Sequence, residues 1–286
     1  MRNLLLTLVV AAAVAGAPLL ATDGEGHFDR TLSVTGPVDL DVQTGAGRIE
    51  VHSGGSSAVV IHATIRAQER FSGSSSARER IHAIETHPPI VQNGNSIRIG
   101  HLDDPELRRG ISIEYDLTVP AETKLRSNTG SGSVVVDGIH GPVSAETGSG
   151  SVTISKIGDE VRAHTGSGRM ELESIRGNLD AHTGSGSIRA SGIAGRIVAD
   201  TGSGGVQVEQ TASGNIRAHT GSGGVTVHPP KEGFELRAHT GSGSITVDRP
   251  MTVQGKISKH ELMAKVGGGG SAIVDVSTGS GSIRVQ

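Results

Sequence analysis

The chain has 286 residues, 43 of them glycine, with three Phe, one Tyr and no Trp or Cys. Hydrophobic residues make up 34% and the formal net charge is −3. This composition excludes a thick core of large side chains, and the lack of cysteine excludes disulfides and thiolate metal sites. It also argues against a nucleic-acid partner, which needs a basic surface and aromatic stacking platforms.

Residues 1–21 have the pattern of an export signal. A positive start, Met1–Asn3, precedes an uncharged apolar run that ends in small residues. Cleavage after Ala21 is favoured over cleavage after Ala17, because Pro18 would directly follow the earlier cut. An uncleaved anchor is the alternative, since Leu4–Ala21 is just long enough to span a bilayer. We expect export to the periplasm, the cell surface or the medium, with no membrane span after cleavage.

Residues 22–127 form a second predicted region with a loose strand pattern. Apolar residues at alternate positions predict strands over Val38–Val42, Arg48–His52, Ala58–Ile65, Ser96–Ile99 and Ile111–Val119. Ser74–Ile84 is the best helix candidate, because Ala77, Ile81 and Ile84 fall on one side. We expect this region to cover the open end of the repeat that follows, since a sheet edge needs protection.

Residues 128–286 carry a repeat. The tetrapeptide Thr-Gly-Ser-Gly begins at Thr129, Thr147, Thr165, Thr183, Thr201, Thr220, Thr240 and Thr278, with a Thr-Gly-Ala-Gly variant at Thr44. From Thr129 onward the spacings are 18, 18, 18, 18, 19, 20 and 38. We interpret the last as two periods, one of which has lost its tetrapeptide. A fixed period of about 20 residues predicts a solenoid.

Each tetrapeptide lies between two stretches of period-two alternation, which predicts a strand on either side. A second turn follows in each unit, as in Ser174–Asn178 and Ser191–Gly195. Two turns per period return the chain to its starting direction, so that successive coils can stack in parallel. We therefore predict an all-β parallel solenoid with about 18–20 residues per coil. A meander of antiparallel hairpins is the alternative.

In the stacked arrangement, equivalent side chains form columns about 4.8 Å apart. The inward columns are Val134, Val152, Met170, Ile188, Val206, Val225, Ile245 and Val136, Ile154, Leu172, Ala190, Val208, Val227, Val247. A corner column holds Ile139, Ile157, Ile175 and Ile193. The repeat threonines share the inward parity, so we expect each hydroxyl to bond the turn backbone or the next threonine, because an unpaired buried hydroxyl is costly.

An export signal, a divergent N-terminal region with one short helix, and stacked Thr-Gly-Ser-Gly units together resemble the bacterial "putative adhesin" family. Gly267–Gly270 followed by the final strand pair up to Gln286 is similar to that family's C-terminal ending. The resemblance covers roughly residues 28–286. It implies a right-handed parallel β-solenoid that is exported, has no established activity and offers no catalytic residues or cofactor to carry over.

One outward column contains candidate functional residues. It consists of the residue before each repeat threonine: Asn128, Glu146, His164, His182, Asp200, His219 and His239. The candidate metal strip is His164, His182, Asp200, His219 and His239, since stacked imidazoles and carboxylates can share a divalent ion. The same column could form a pH-sensitive face. The alternative is a solvated ladder, which the thirteen histidines spread over the chain favour.

A second outward column mixes charges and could pair with the first or form a plain polar face: Arg126, Ser144, Arg162, Asp180, Val198, Arg217 and Arg237.

The glycine-rich turns lack the lysine of a phosphate loop and the aspartate of calcium-binding repeats. We therefore predict a non-enzymatic exported module with an envelope, protein or glycan partner. The alternatives are a polysaccharide-binding or polysaccharide-processing β-helix protein, and a periplasmic accessory or sensor protein that binds another protein by edge pairing.

Overall fold

The computed structural model describes residues 24–55, 57–67, 75–102, 104–254, 258–268 and 270–286, so the predicted export signal lies outside the described residues. The first described strands and both helices are β1 Glu25–Ser33, β2 Val38–Ala46, β3 Ile49–Gly54, β4 Ala58–Ala67, α1 Ser75–Thr86, β5 Ile90–Asn93, β6 Ser96–Ile99, α2 Pro105–Arg108 and β7 Ile111–Pro120. The repeat region begins with β8 Thr123–Ser131, β9 Val134–Asp137, β10 Val143–Ser149, β11 Val152–Ile157, β12 Val161–Ser167, β13 Met170–Ile175, β14 Leu179–Ser185, β15 Ile188–Ile193, β16 Ile197–Ser203 and β17 Val206–Gln210. It ends with β18 Ile216–Ser222, β19 Val225–His228, β20 Phe234–Ser242, β21 Ile245–Val247, β22 Met251–Val253, β23 Glu261–Val266, β24 Ala272–Ser280 and β25 Ile283–Val285.

The strands form two facing sheets. The 12-stranded sheet has the order β1-β4-β7-β3-β9-β11-β13-β15-β17-β19-β25-β21, and the 13-stranded sheet has the order β22-β23-β20-β24-β18-β16-β14-β12-β10-β8-β2-β6-β5. From β6 and β7 to β20 and β21, each coil places one strand in each sheet in the same order. Ten such coils at about 4.8 Å spacing give a stack roughly 43 Å long.

Neighbouring coils pair in parallel and in register, which excludes the antiparallel meander. In the 13-stranded sheet Thr147 pairs with Thr129 on one side and with Thr165 on the other. In the 12-stranded sheet Ile154 pairs with Val136 and with Leu172. The parallel solenoid with 18–20 residues per coil is therefore confirmed.

The core is the thin layer between the sheets, and the predicted columns line it. The members of both inward columns are buried from the Val134 coil through the Val225 coil, whereas Ile245 and Val247 at the end of the stack are half-buried. The corner column Ile139, Ile157, Ile175 and Ile193 is also buried. Next to most of the Thr-Gly-Ser-Gly corners the inward side chains are alanine and threonine, and these are buried.

The N-terminal region supplies two coils at one end of the stack, β6 with β7 and β2 with β3, together with further strands and the helices. Helix α1 confirms the helix candidate, extends it to Thr86, and buries Ala77, Ile81 and Ile84. Strand β1 pairs antiparallel with β4, and β4 pairs antiparallel with β7, so the 12-stranded sheet ends in antiparallel strands here. Strands β1 and β5 and the one-turn helix α2 were not predicted from the sequence.

The C-terminal coil lies out of chain order, which corrects our interpretation of the 38-residue spacing. The described strands of this stretch do not form a coil without its tetrapeptide: β22 pairs antiparallel with β23, and β23 pairs antiparallel with β20. The chain then returns and inserts β24 between β18 and β20, and β25 between β19 and β21. The last coil in the sequence is thus the last but one in space.

The first coil shows the same arrangement at the opposite end. Strand β2 lies between β6 and β8, and β3 lies between β7 and β9. Both the earliest and the latest coil-forming segments of the chain therefore have a neighbouring coil on each side.

Within the described residues, no helix is long and apolar enough to cross a membrane.

Candidate functional site

The Thr-Gly-Ser-Gly corner is where the chain passes from the 13-stranded to the 12-stranded sheet, and both of its glycines are required there. A Cβ on Gly166 would lie 2.5 Å from the carbonyl oxygen of Gly148 in the neighbouring coil. Gly168 has φ +157°, and a Cβ there would lie 1.9 Å from the carbonyl oxygen of Gly150. Side chains at these positions would hold the coils apart, so the repeated glycines serve close stacking.

The buried threonines tie each corner to its neighbour, as the sequence predicted for the turn backbone. Each hydroxyl donates to the carbonyl of the last glycine in the adjacent corner, in the pairs Thr129–Gly47, Thr147–Gly132, Thr165–Gly150, Thr201–Gly186, Thr220–Gly204, Thr278–Gly223 and Thr240–Gly281, at 2.8–3.1 Å. The bonds follow the order of the coils in space, not in sequence. Thr183 differs, because its buried hydroxyl has no partner among the described residues.

The predicted histidine column runs along the outer face of the 13-stranded sheet, with one change of membership. His164 pairs in register with His182, His182 with Asp200, and Asp200 with His219. Ser277 of the inserted coil then lies between His219 and His239, which corrects the predicted contact between those two histidines. Nδ1 of His219 lies 2.8 Å from the Ser277 hydroxyl.

His182 contacts an acidic side chain in each of the two outward columns. Its Nε2 lies 2.5 Å from Oδ1 of Asp180, and its Nδ1 lies 3.4 Å from Oδ2 of Asp200. The imidazole thus bridges the two predicted outward columns. Among the described residues, no group of three or more histidine and acidic side chains has the geometry of a metal site. Sharing of a metal by the strip stays a prediction.

A cross-strand pair outside these columns contains Asp137, whose pKa is the only one among the described acidic groups that is clearly lowered. The Ser155 hydroxyl donates to Oδ1 of Asp137 at 2.6 Å, and Nζ of Lys156 lies 3.2 Å from the same oxygen. These contacts, chiefly the hydrogen bond, lower the pKa of Asp137. Asp137 and Ser155 are aligned by the 18-residue period, which is the sequence signal that could have revealed the pair.

Two of the depressions on the described surface are candidate binding sites. One, of about 180 Å³, lies where the corner at Thr44 meets Gly100–Leu102 and Arg108. Beside it Nε2 of His101 lies 3.4 Å from Oδ1 of Asp41. The other, of about 340 Å³, crosses the outer face of the 12-stranded sheet over Gly205 and Gly224. This groove was not predicted from the sequence, although in both coils a further glycine directly follows the tetrapeptide.

The geometry defines a two-sheeted parallel β-solenoid whose corners are locked by threonine and glycine ladders and whose outer faces carry rows of polar side chains. The model of the family described as Toastrack DUF4097 matches residues 46–286, so the chain belongs to the Toastrack family of domains of unknown function. This match confirms the resemblance seen in the residues.

No curated protein matches the chain. Among solved structures, a "putative cell adhesion protein" from Clostridium sporogenes is 14% identical with a TM-score of 0.31, covering 91% of this chain and 98% of its own. A "putative adhesin" from Bacteroides fragilis is 12% identical with a TM-score of 0.32, covering 91% of this chain and 97% of its own.

Proposed function

We propose that the protein is a non-enzymatic exported module that binds a component of the bacterial cell envelope through the outer faces of its solenoid. The observation that supports this function is the two outward columns, which form ladders of mostly polar side chains along the outer face of the 13-stranded sheet. A ladder repeats the same groups at about 4.8 Å. Such a regular surface suits an extended or repetitive partner, because each coil adds a similar contact.

The arrangement of the polar groups supports binding over catalysis. The contacts around His182 lie on an exposed strand, and the Ser277–His219 pair lies on the same open face. Catalytic groups work best where water is excluded and donors are aimed at the developing charge. An open, flat ladder gives neither condition.

Export and envelope binding can be tested together in the bacterium that encodes the protein. We expect the full-length chain to be processed before Thr22 and to fractionate with the envelope or the medium, as judged by N-terminal sequencing and immunoblotting. The purified mature protein should bind isolated envelopes saturably and release no sugar from them. Retention of the chain in the cytoplasm, absence of saturable binding, or release of reducing sugars would each contradict the proposal.

A further inference from the structure

The residue that follows each Thr-Gly-Ser-Gly corner directly precedes a strand of the 12-stranded sheet. It is serine or arginine in most coils, namely Ser133, Ser151, Arg169, Ser187, Ser282 and Ser244. It is glycine at Gly205 and Gly224, which belong to neighbouring coils because β17 pairs with β19. Two adjacent positions without side chains open the groove of about 340 Å³, a size within the usual range of ligand clefts.

The fold does not require these two glycines. A Cβ on Gly205 would lie 3.6 Å from its nearest neighbour, the carbonyl oxygen of Gly224, and a Cβ on Gly224 would lie 3.5 Å from that of Ser282. Both are ordinary van der Waals distances. The preceding Gly204, by contrast, has φ +138° and would place a Cβ 2.1 Å from the Gly186 carbonyl. Neither a left-handed backbone nor a close approach therefore explains glycine at these two positions. What the two residues provide is the side-chain-free bottom of the groove, which we call the glycine floor.

Both carbonyl groups of the glycine floor are already engaged within the sheet. The carbonyl oxygen of Gly205 accepts from the Ile188 amide at 3.0 Å, and that of Gly224 accepts from the Val206 amide at 3.0 Å. An extended peptide recognises a sheet through unpaired backbone groups at an edge. A ligand over this floor must instead be recognised by side chains, which favours a molecule rich in hydroxyl groups.

The side chains around the floor carry an excess of positive charge. Two arginines and one glutamate line the groove: Arg169, Arg189 and Glu171. The contact between Arg169 and Glu171 is loose, at 3.6 Å. Arg189 is exposed and has no ion pair in the part of the chain that the structure describes. A free guanidinium beside a cleared floor suits a carboxylate, which it can bind through two parallel hydrogen bonds.

We propose that this groove binds a polysaccharide that carries carboxylates, with one carboxylate on Arg189 and sugar hydroxyls on Gln207 and Thr226. The glycine floor lets the flat C–H face of a sugar ring approach the sheet closely. The inference rests on the proposed function, because it names the class of envelope partner that one solenoid face takes.

The groove can be tested with the purified mature protein and a polygalacturonate oligomer, by calorimetry and by amide NMR shifts. The double variant Gly205→Ser with Gly224→Ser restores the residue of the neighbouring coils and should weaken binding at least tenfold without changing the melting temperature. Arg189→Gln should weaken binding at least fivefold and flatten its dependence on salt. Gly55→Ser, in open space, and Arg217→Gln, on the opposite face, are the matched controls and should bind like the wild type.

Three outcomes would overturn the inference: no binding of polygalacturonate, equal binding of neutral dextran or of polyglutamate, or full affinity in the glycine double variant. None of these would affect the proposed function if the wild-type protein still bound isolated envelopes. Loss of envelope binding with retained polygalacturonate binding would instead contradict the proposed function and leave the groove in place.

Discussion

Two glycines that are neighbours in the sequence can differ in whether the fold requires glycine at that position. Gly204 needs both a positive φ and the absence of a Cβ, since the carbonyl of Gly186 lies where the Cβ would be. Gly205, the next residue, needs neither. The stacking distance between coils, and not the turn alone, therefore decides which glycines are obligatory.

We expect Gly204→Ala to lower the free energy of unfolding by more than about 3 kcal/mol, because the coils must separate or the backbone must move. Gly205→Ala should change it by less than about 1 kcal/mol, and in the stabilising direction, because alanine restricts the unfolded chain. Urea unfolding followed by circular dichroism measures both. Similar losses in the two variants would show that the stacking distance does not set the requirement.

The threonine column gives a second contrast between equivalent residues. The hydroxyl of Thr165 donates to the Gly150 carbonyl at 3.1 Å, whereas that of Thr183 is buried without a partner among the described residues. Thr165→Val should lower the free energy of unfolding by about 1–2 kcal/mol, because the carbonyl loses its donor. Thr183→Val should be neutral or slightly stabilising, because it removes an unsatisfied polar group. Equal urea midpoints for the two variants would contradict this assignment.

At the scale of the strand pair, the contact that Asp137 makes between two neighbouring coils should depend on pH. Its pKa is lowered, first by the hydrogen bond from Ser155 and then by Lys156. A carboxyl group with a lowered pKa contributes stability above its unfolded value of about 3.9, and this contribution is lost as the pH falls through the folded value.

The urea midpoint of the wild type should therefore fall more steeply between pH 5 and pH 2 than that of Asp137→Asn. Asp275→Asn is the matched control, because Asp275 is exposed and forms no ion pair in the described chain. Parallel pH profiles for the wild type and Asp137→Asn would show that the pair contributes nothing to acid stability.

Most of the strands could be predicted because the solenoid converts a period of two within a strand and a period of 18 along the chain into buried columns. The columns that begin at Val134 and Val136 could be predicted from the alternation of inward and outward positions along each strand. The hairpin of β22 and β23 could not be predicted, because Met251–Val253 and Glu261–Val266 carry no tetrapeptide and leave Met251 and Met263 exposed. The groove was missed because an absent side chain leaves a weaker signal than a present one.

At the scale of the whole molecule, the order of the coils was beyond the sequence pattern. The corner that begins at Thr278 pairs in register both with the corner at Thr220 and with the corner at Thr240. All three corners carry the same tetrapeptide, so the repeat itself does not specify which of the two coils lies next to Thr220. Position in the chain is therefore a poor guide to position in the stack.

The inserted coil predicts an unusual pattern of sensitivity at the C-terminus. Val227, Val285 and Val247 occupy one column, with Val285 in the middle. Val285 is fully buried although it is the penultimate residue, whereas Val247 at the end of the stack is half-buried. Tolerance to substitution should follow burial and backbone pairing, not distance from the terminus.

Val285→Ala should therefore lower the free energy of unfolding by about 2 kcal/mol, since it removes two buried methyl groups and leaves a cavity between two coils. Val247→Ala should cost less than about half of that, because water already reaches the site. Urea unfolding gives the two values, and hydrogen exchange should show increased opening on both sides of the Val285 coil. If Val285→Ala were the milder substitution, the last coil would lie at the end of the stack and the inserted topology would be wrong.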